Sequence, residues 1–203
     1  RRTRRRSEQK TANHKHHMPR RDVLKANLFE AWQNCIAEDY VKHRRINSER
    51  SLQASFWARL NKVLPDSRHM FIEPAIRADG KIYIPDLIIY NSKKVIGVVE
   101  LKYAPRVKAR TGKDKRTIRE LANCQGELFV SNNRFRGRLT RIKTYHFSEH
   151  VVFAWAGVYR ASNENVAEQF ACLDVRQHSL MQLHAMTQHD GDPEVFRTPT
   201  HQR

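Results

Sequence analysis

The sequence contains few cysteines and no long apolar segment, and both absences narrow the class of protein. Only three cysteines occur, Cys35, Cys124 and Cys172, and their wide spacing fits neither a disulfide framework nor a CxxC zinc site. No apolar stretch approaches the roughly 20 residues of a membrane span, and the Arg-rich start lacks the apolar region of a secretory signal. We therefore expect an intracellular protein with no membrane partner, cytoplasmic if a bacterium or a phage encodes it.

Acidic residues are scarce relative to basic ones. The 203 residues include 38 Lys and Arg against 21 Asp and Glu, which gives a formal net charge of +17. This excess is typical of proteins that bind a polyanion, and nucleic acid is the first candidate. Charge alone does not separate binding from catalysis.

Four segments are expected along the chain. Residues 1–20 contain almost nothing that could enter a core and predict a flexible basic arm, in which His14, His16 and His17 are solvated rather than metal-binding. Residues 21–45 show the apolar spacing of an N-terminal helix. Residues 46–160 form the core, and residues 161–203 a C-terminal extension and tail.

The core pattern predicts an α/β fold. A helix begins near Asn47 or Ser48 and ends at Leu64, before Pro65. Residues 69–73, 81–90 and 94–103 predict an antiparallel three-strand meander, followed by a helix over residues 116–130 and a strand over residues 150–159. Beyond residue 161 the pattern weakly predicts a strand over residues 170–175 and a short helix over residues 180–186.

Charged residues interrupt two of the apolar strands. Asp86 lies in the second strand of the meander, and Glu100 and Lys102 lie in the third, where alternation places both on one face. A hairpin with Asn91 facing Val95 would set Asp86 opposite Glu100, close enough for both carboxylates to hold one ion. Oxygen ligands favour Mg²⁺, with Mn²⁺ as a substitute. The alternative is that Asp86 pairs with Lys102 and leaves Glu100 half exposed, without a metal.

The motif itself resembles that of a known superfamily. Pro85-Asp86, thirteen intervening residues and then Glu100-Leu101-Lys102 are similar to the signature of the PD-(D/E)XK nucleases. The resemblance implies a restriction-endonuclease-like core, with a mixed central sheet flanked by helices. It also implies that Asp86 and Glu100 are metal ligands, Lys102 is the catalytic lysine, and Glu49 is the acidic residue of the first helix. The alternative for Glu49 is a favourable interaction with the helix dipole.

Two further positions are candidates on weaker grounds. Some members of the superfamily carry Gln-x-x-x-Tyr on the helix after the lysine strand, and here Gln125 is followed by Phe129, which lacks the hydroxyl. Gln125 is thus a candidate site residue or an ordinary polar helix residue. Glu73, before Pro74, is either a further carboxylate of the site or, by slight preference, a strand-end charge.

Basic and aromatic residues near the motif predict a nucleic-acid surface. Lys and Arg side chains follow the lysine strand and recur later, in positions suited to tracking phosphates: Arg106, Lys108, Arg110, Lys113, Lys115, Arg134, Arg136 and Arg138. Trp57, Trp155, Phe135 and Tyr145 could stack on bases. The two tryptophans fit core positions better, and Phe135 is the better stacking candidate.

Together these patterns predict a Mg²⁺-dependent deoxyribonuclease that hydrolyses phosphodiester bonds, with DNA as its partner. A homodimer is compatible with such a core. Two alternatives remain open at this point: a catalytically inactive nucleic-acid-binding or assembly protein with the same core, and an RNA-binding protein.

Overall fold

A computed structural model describes residues 20–124, 127–131, 142–161, 179–188 and 192–198 of the chain. The helices are α1 (Arg20–Asn34), which continues as a π-helical segment (Cys35–Lys42), α2 (Glu49–Val63) and α3 (Gly112–Asn123). The strands are β1 (His69–Ile72), β2 (Ile76–Ala78), β3 (Lys81–Tyr83), β4 (Leu87–Tyr90), β5 (Lys94–Ala104), β6 (Leu128–Ser131), β7 (Ile142–Arg160), β8 (Ser179–Thr187) and β9 (Glu194–Thr198).

Within these ranges the strands form one mixed sheet centred on β5 and β7. The main run is ordered β1-β4-β5-β7-β8-β9, with β5, β7 and β8 parallel and the remaining neighbours antiparallel. The N-terminal part of β7 also pairs with β6, which leads through β2 to β3. The predicted α/β class with a mixed sheet flanked by helices is confirmed.

Helices cover both faces of the main sheet. Because side chains alternate along a strand, Val99 and Leu101 of β5 enter a core formed with α1, the π-helical segment and α2. Val98 enters the opposite core, which contains Ile118 and Leu121 of α3. Glu100 alternates with Leu101 and therefore lies on the α3 face of the sheet.

The start of α2 agrees closely with the sequence pattern. Ser48 caps the helix, accepting a hydrogen bond from the backbone N of Ser51, and the Ser51 hydroxyl accepts one from the backbone N of Ser48 in return. This reciprocal capping satisfies amide groups that the first helical turn leaves unpaired. It also places Glu49 in the first turn, as predicted.

A partly buried ion pair joins the π-helical segment to α2. Arg59 donates two hydrogen bonds to Asp39, with N–O distances of 2.9 and 2.7 Å. These bonds hold the pKa of Asp39 below its usual range, at about 2, although burial opposes them. The pair fixes the approach of the helices that cover one face of the sheet.

Three predicted elements are wrong in detail. The predicted strand over residues 81–90 is interrupted between β3 and β4, where Pro85 has no amide hydrogen to donate to a ladder. The predicted helix over residues 116–130 begins earlier and ends at Asn123, and residues 128–131 form β6 instead. Residues 180–186 belong to strand β8, not to a helix, so the sheet continues beyond the predicted core boundary at residue 160.

None of the helices in the described part of the chain is long and apolar enough to span a membrane. Residues 1–19 of the predicted basic arm, the predicted strand over residues 170–175 and Cys172 lie outside the described residues, and the last residue of that arm, Arg20, begins α1.

Candidate active site

Asp86 directly precedes β4, next to the part of β5 that carries Glu100. Leu87 pairs with Val99, Ile88 with Val98 and Ile89 with Gly97, so the same register continued by one residue brings Asp86 opposite Glu100. The predicted register is therefore confirmed over this part of the hairpin. It is wrong at the turn, where a bulge pairs Tyr90, rather than Asn91, with Val95.

Hydrogen bonds from three parts of the fold hold Asp86 in place. Its side-chain Oδ2 accepts a bond from the backbone N of Leu101 at 2.6 Å. Its backbone O accepts bonds from Gln53 Nε2 of α2, at 3.1 Å, and from the backbone N of Glu73, at 3.0 Å. The bond to Leu101 fixes the carboxylate beside Glu100 and involves only one of its two oxygens.

Glu100 is a buried carboxyl group with an unsatisfied oxygen. The residue is 7% exposed, and its Oε1 has no hydrogen-bond partner among the described residues. Burial, followed by the negative charge of Asp86, raises the pKa of Glu100 to about 9. Burial likewise raises the pKa of Asp86 to about 6, although the bond from Leu101 opposes the change. Glu100 therefore keeps its proton at neutral pH, and ionising both carboxyl groups requires an additional positive charge between them.

The donor set fits a hard divalent cation. No group of three or more His, Cys, Asp or Glu side chains is arranged to hold a metal ion within the described ranges. Mg²⁺, however, is commonly held by one or two carboxylates together with water and substrate phosphate. The unsatisfied Glu100 oxygen beside Asp86 is the feature that a cation would satisfy, since it would also offset the repulsion between the two carboxylates.

Lys102 lies two residues after Glu100, on the same face of β5. Its Nζ is 3.3 Å from Oε2 of Glu49, and the same oxygen accepts a bond from the backbone N of Tyr103. Burial lowers the pKa of Lys102, but the charges of Asp114, Glu49 and Asp86 outweigh it and leave that pKa raised. Lys102 is thus a protonated cation at neutral pH. The pairing of Lys102 with Asp86, considered as an alternative above, is replaced by pairing with Glu49.

Sequence reasoning missed Asp114. It is 5% exposed, and its Oδ2 accepts a hydrogen bond from Trp155 Nε1 at 3.1 Å. Burial raises the pKa of Asp114, while the bond from Trp155 and the charge of Lys102 act in the opposite direction. Asp114, Ile118, Leu121 and Ala122 form the buried stripe of α3, so helical spacing signalled an inward-facing acid. The acid was missed because the predicted helix began at Arg116, two residues after Asp114.

Exposed basic residues follow the strand that carries Glu100 and Lys102. Arg106, Lys108, Arg110 and Lys113 are exposed in the segment from the end of β5 to the first turn of α3, and Lys115 is half-buried. The charge of Lys113 lowers the pKa of Glu100, in opposition to burial, which places this lysine near the carboxyl pair. Arg134, Arg136, Arg138 and Phe135 lie outside the described residues.

Comparisons with known proteins add little to this geometry. No protein-family model matches the sequence, and no curated protein sequence matches it. Among solved structures the chain is similar to P. aeruginosa ATCC27853 NucC in its cAAA-bound form, with 9% sequence identity and a TM-score of 0.44. The similarity covers 89% of this chain and 84% of that chain. At this TM-score and identity it carries no conclusion about activity.

The weaker candidates have mixed outcomes. Gln125 lies outside the described residues, and Phe129 is on β6, so the predicted placement of both on one helix is wrong. Glu73 is exposed at the end of β1 with a φ of 46°, which fits the strand-end interpretation.

The aromatic candidates mostly serve the core. Trp155 is 1% exposed and Tyr145 is 2% exposed, so neither ring is available to stack on a base. Trp57 is half-buried and packs against the core under α2. Trp155 nevertheless contributes to the site, because its indole N–H orients Asp114.

Proposed function

We propose that this chain is a divalent-metal-dependent nuclease that hydrolyses phosphodiester bonds in DNA. The observation that carries the proposal is the Asp86 and Glu100 pair, in which one buried oxygen lacks a partner. Lys102 lies on the same face of β5, and exposed basic residues follow this strand. The resemblance of Pro85-Asp86 and Glu100-Leu101-Lys102 to the PD-(D/E)XK signature supports the same reaction class.

Asp86 and Glu100 would hold Mg²⁺, with Mn²⁺ as a substitute. Such an ion lowers the pKa of a bound water and stabilises negative charge on a phosphate. The bond from Leu101 to Asp86 orients one carboxylate in advance, and the burial of Glu100 limits competition from bulk water. Preorganised groups of this kind need little rearrangement during the reaction.

Lys102 acts as a cation and not as a proton acceptor in this scheme. Its raised pKa keeps the ammonium group protonated at neutral pH, so it can offset the negative charge that grows on the phosphate in the transition state. Glu49 positions the ammonium group through the 3.3 Å ion pair. Asp114, held by Trp155, adds to the negative field that keeps Lys102 charged.

The basic segment after β5 would bind the DNA backbone. Arg106, Lys108 and Arg110 are exposed there, and contacts between such side chains and phosphates raise affinity without reading sequence. Binding should therefore weaken steeply with salt, because each neutralised phosphate releases counterions. No preference for a base sequence is proposed.

The test is cleavage of plasmid and single-stranded DNA with Mg²⁺ or Mn²⁺, with and without EDTA. The wild-type protein should cleave only with metal, and Lys102→Ala and Asp86→Asn should lose cleavage while still binding DNA. Lys62→Ala and Asp22→Asn serve as matched controls, since both positions are exposed on helices. A mobility shift without cleavage under either metal would refute the nuclease and favour a binding protein. Preferential binding of RNA at matched salt would favour the RNA-binding alternative.

A further inference from the structure

A basic groove lies at the opposite end of β5 from the candidate active site. Its volume is about 750 Å³, and it is lined by the first turns of α1, the residues that follow α2, and the turn between β4 and β5. Lys94 in this turn precedes Glu100 by six residues of extended strand, which corresponds to roughly 20 Å. The groove is therefore separate from the carboxyl pair.

Positive charge predominates in the lining of this groove. Arg21, Arg68, Lys93 and Lys94 are among its lining residues, against Glu149 as the acid. A concave surface with such an excess of cations attracts anionic ligands, because its walls concentrate the field.

Arg21 adds an unsatisfied donor to the groove. Its Nε is buried and has no hydrogen-bond partner among the described residues. Another nitrogen of the same guanidinium, Nη2, is 3.3 Å from Nδ1 of His150, which also lines the groove. A planar guanidinium presents adjacent donors that match the oxygens of a phosphate. Arg21 is therefore a lining cation whose hydrogen-bonding capacity the fold does not fully use.

The turn that carries Lys93 and Lys94 is stabilised by hydrogen bonds to their backbone, not to their side chains. Oδ1 of Asn91 accepts hydrogen bonds from the backbone N of Lys93, at 3.0 Å, and of Lys94, at 2.7 Å. The backbone N of Asn91 donates a further bond to the backbone O of Lys94. Both ammonium groups are consequently presented from a fixed backbone, and their replacement should leave the turn intact.

Apolar residues also line the groove, and together they are called its apolar wall. Val23, Leu24, Leu64 and Ile96 line it, and Val23 is 41% exposed. An inorganic ion would leave this wall in contact with water, whereas a ligand with a flat, weakly polar group would cover it. The volume of the groove lies within the range of roughly 300–1,000 Å³ that is usual for small-molecule sites.

We propose that this groove binds a small phosphate-bearing ligand with a flat heterocycle, that is, a nucleotide. Its phosphates would contact Arg21, Arg68 and the two lysines, and its heterocycle would cover the apolar wall. Residues 1–19 are a poor occupant, because they contain seven Lys or Arg and one acid and would repel the basic lining. The proposal does not depend on the nuclease activity.

The test is calorimetric titration of the full chain with ADP, pyrophosphate and adenosine, in EDTA so that the metal site takes no part. ADP should bind more tightly than pyrophosphate, and adenosine should bind weakest. The double variant Lys93→Glu/Lys94→Glu should weaken ADP binding at least about tenfold, and Arg68→Gln should weaken it in the same direction. Lys62→Glu, outside the groove, and Glu100→Gln, in the candidate active site, should leave ADP binding unchanged.

Three results would overturn the proposal. The first is no measurable binding at about 10 mM ADP, which corresponds to an affinity too weak for a specific site. The second is equal affinity in the wild-type protein and the double variant, when circular dichroism shows both to be folded. The third is a single-stranded oligonucleotide whose binding depends on Lys93 and Lys94 when that of ADP does not, which would make the groove part of a nucleic-acid surface.

Discussion

Replacing Glu100 by Gln should raise the free energy of unfolding at neutral pH when no metal is present. Burial raises the pKa of Glu100 from 4.5 to about 9, so the folded chain keeps a proton that the unfolded chain releases. Stability therefore falls as pH rises between these two values, since the unfolded state binds fewer protons. Gln has the shape of the protonated acid and does not titrate, so the variant avoids this loss.

The size of the effect follows from the difference between the solution pH and the unfolded pKa. Each pH unit above 4.5 removes about 1.4 kcal/mol from the wild-type protein, which amounts to at most about 3 kcal/mol at pH 7. The two proteins should be nearly equal in stability at pH 4.5. This difference is large against the roughly 5–15 kcal/mol that stabilises a domain.

The measurement is urea unfolding of both proteins between pH 4.5 and pH 8, in EDTA and then with Mg²⁺. Subtracting the stability of one protein from that of the other at each pH cancels the contribution of other titrating groups. One such group is His184, whose pKa is lowered by burial to about 4. Mg²⁺ should stabilise the wild-type protein and not the variant, because a ligand that binds only the folded state adds stability according to its affinity. The stability difference between them should then shrink.

Glu120→Gln is the matched control, with an effect of opposite sign. Bonds from Lys81 and Tyr83 lower the pKa of Glu120, so its charge stabilises the fold above the unfolded pKa, and the variant should lose stability there. A stability difference between the wild-type protein and Glu100→Gln that does not change from pH 4.5 to pH 8 would refute the reasoning. Glu100 would then be ionised in the folded chain, with a counter-charge that the site as described does not contain.

Further predictions concern the groups around this pair. Asp114→Asn should lower the pKa of Lys102, because it removes a negative charge that raises that pKa; the alkaline limb of the cleavage pH profile should move to lower pH, and an unchanged limb would contradict this role. Gly157→Ala should destabilise the fold by about 1–3 kcal/mol in urea unfolding, since an added Cβ would overlap the Trp155 ring. Arg59→Met should cost about 3 kcal/mol at pH 7, because it removes both hydrogen bonds and the stronger of the positive charges that act on the buried carboxylate of Asp39. That cost should disappear as the pH falls toward 2, the lowered pKa of Asp39, because the carboxylate is then protonated. A cost that persists at this pH would indicate that lost packing, not lost charge pairing, destabilises the variant.

Capping preferences and apolar patterns, which involve residues close together in sequence, correctly predicted several elements of the fold. The capping residue Ser48 and the apolar spacing after it predicted α2 to within a residue at each end. The apolar run and the turn residues before it predicted β5, and the hairpin register was correct from Leu87 to Ile89. These features depend on neighbours in sequence, so local propensity and periodicity are enough to place them.

Errors arose where distant segments compete for the same residues. Residues 128–131 follow α3 in sequence but pair with β2 and β7. Residues 180–186 become a strand because β7 and β9 lie on either side of them. A strand that completes a sheet gains its hydrogen bonds from partners far along the chain, which local pattern does not reveal. The restriction-endonuclease-like family and the metal dependence stay predictions.

The amino-acid order by itself determined that Glu100 and Lys102 share one face of a strand, because alternation is a property of extended backbone. It also placed an acid in the first turn of α2. Only the tertiary structure decided that Glu100 is buried with an unsatisfied oxygen, that Glu49 holds Lys102, and that Asp114 reaches the same site from α3. Burial and charge coupling depend on which surfaces pack together, and that packing is set by contacts between residues far apart in the chain.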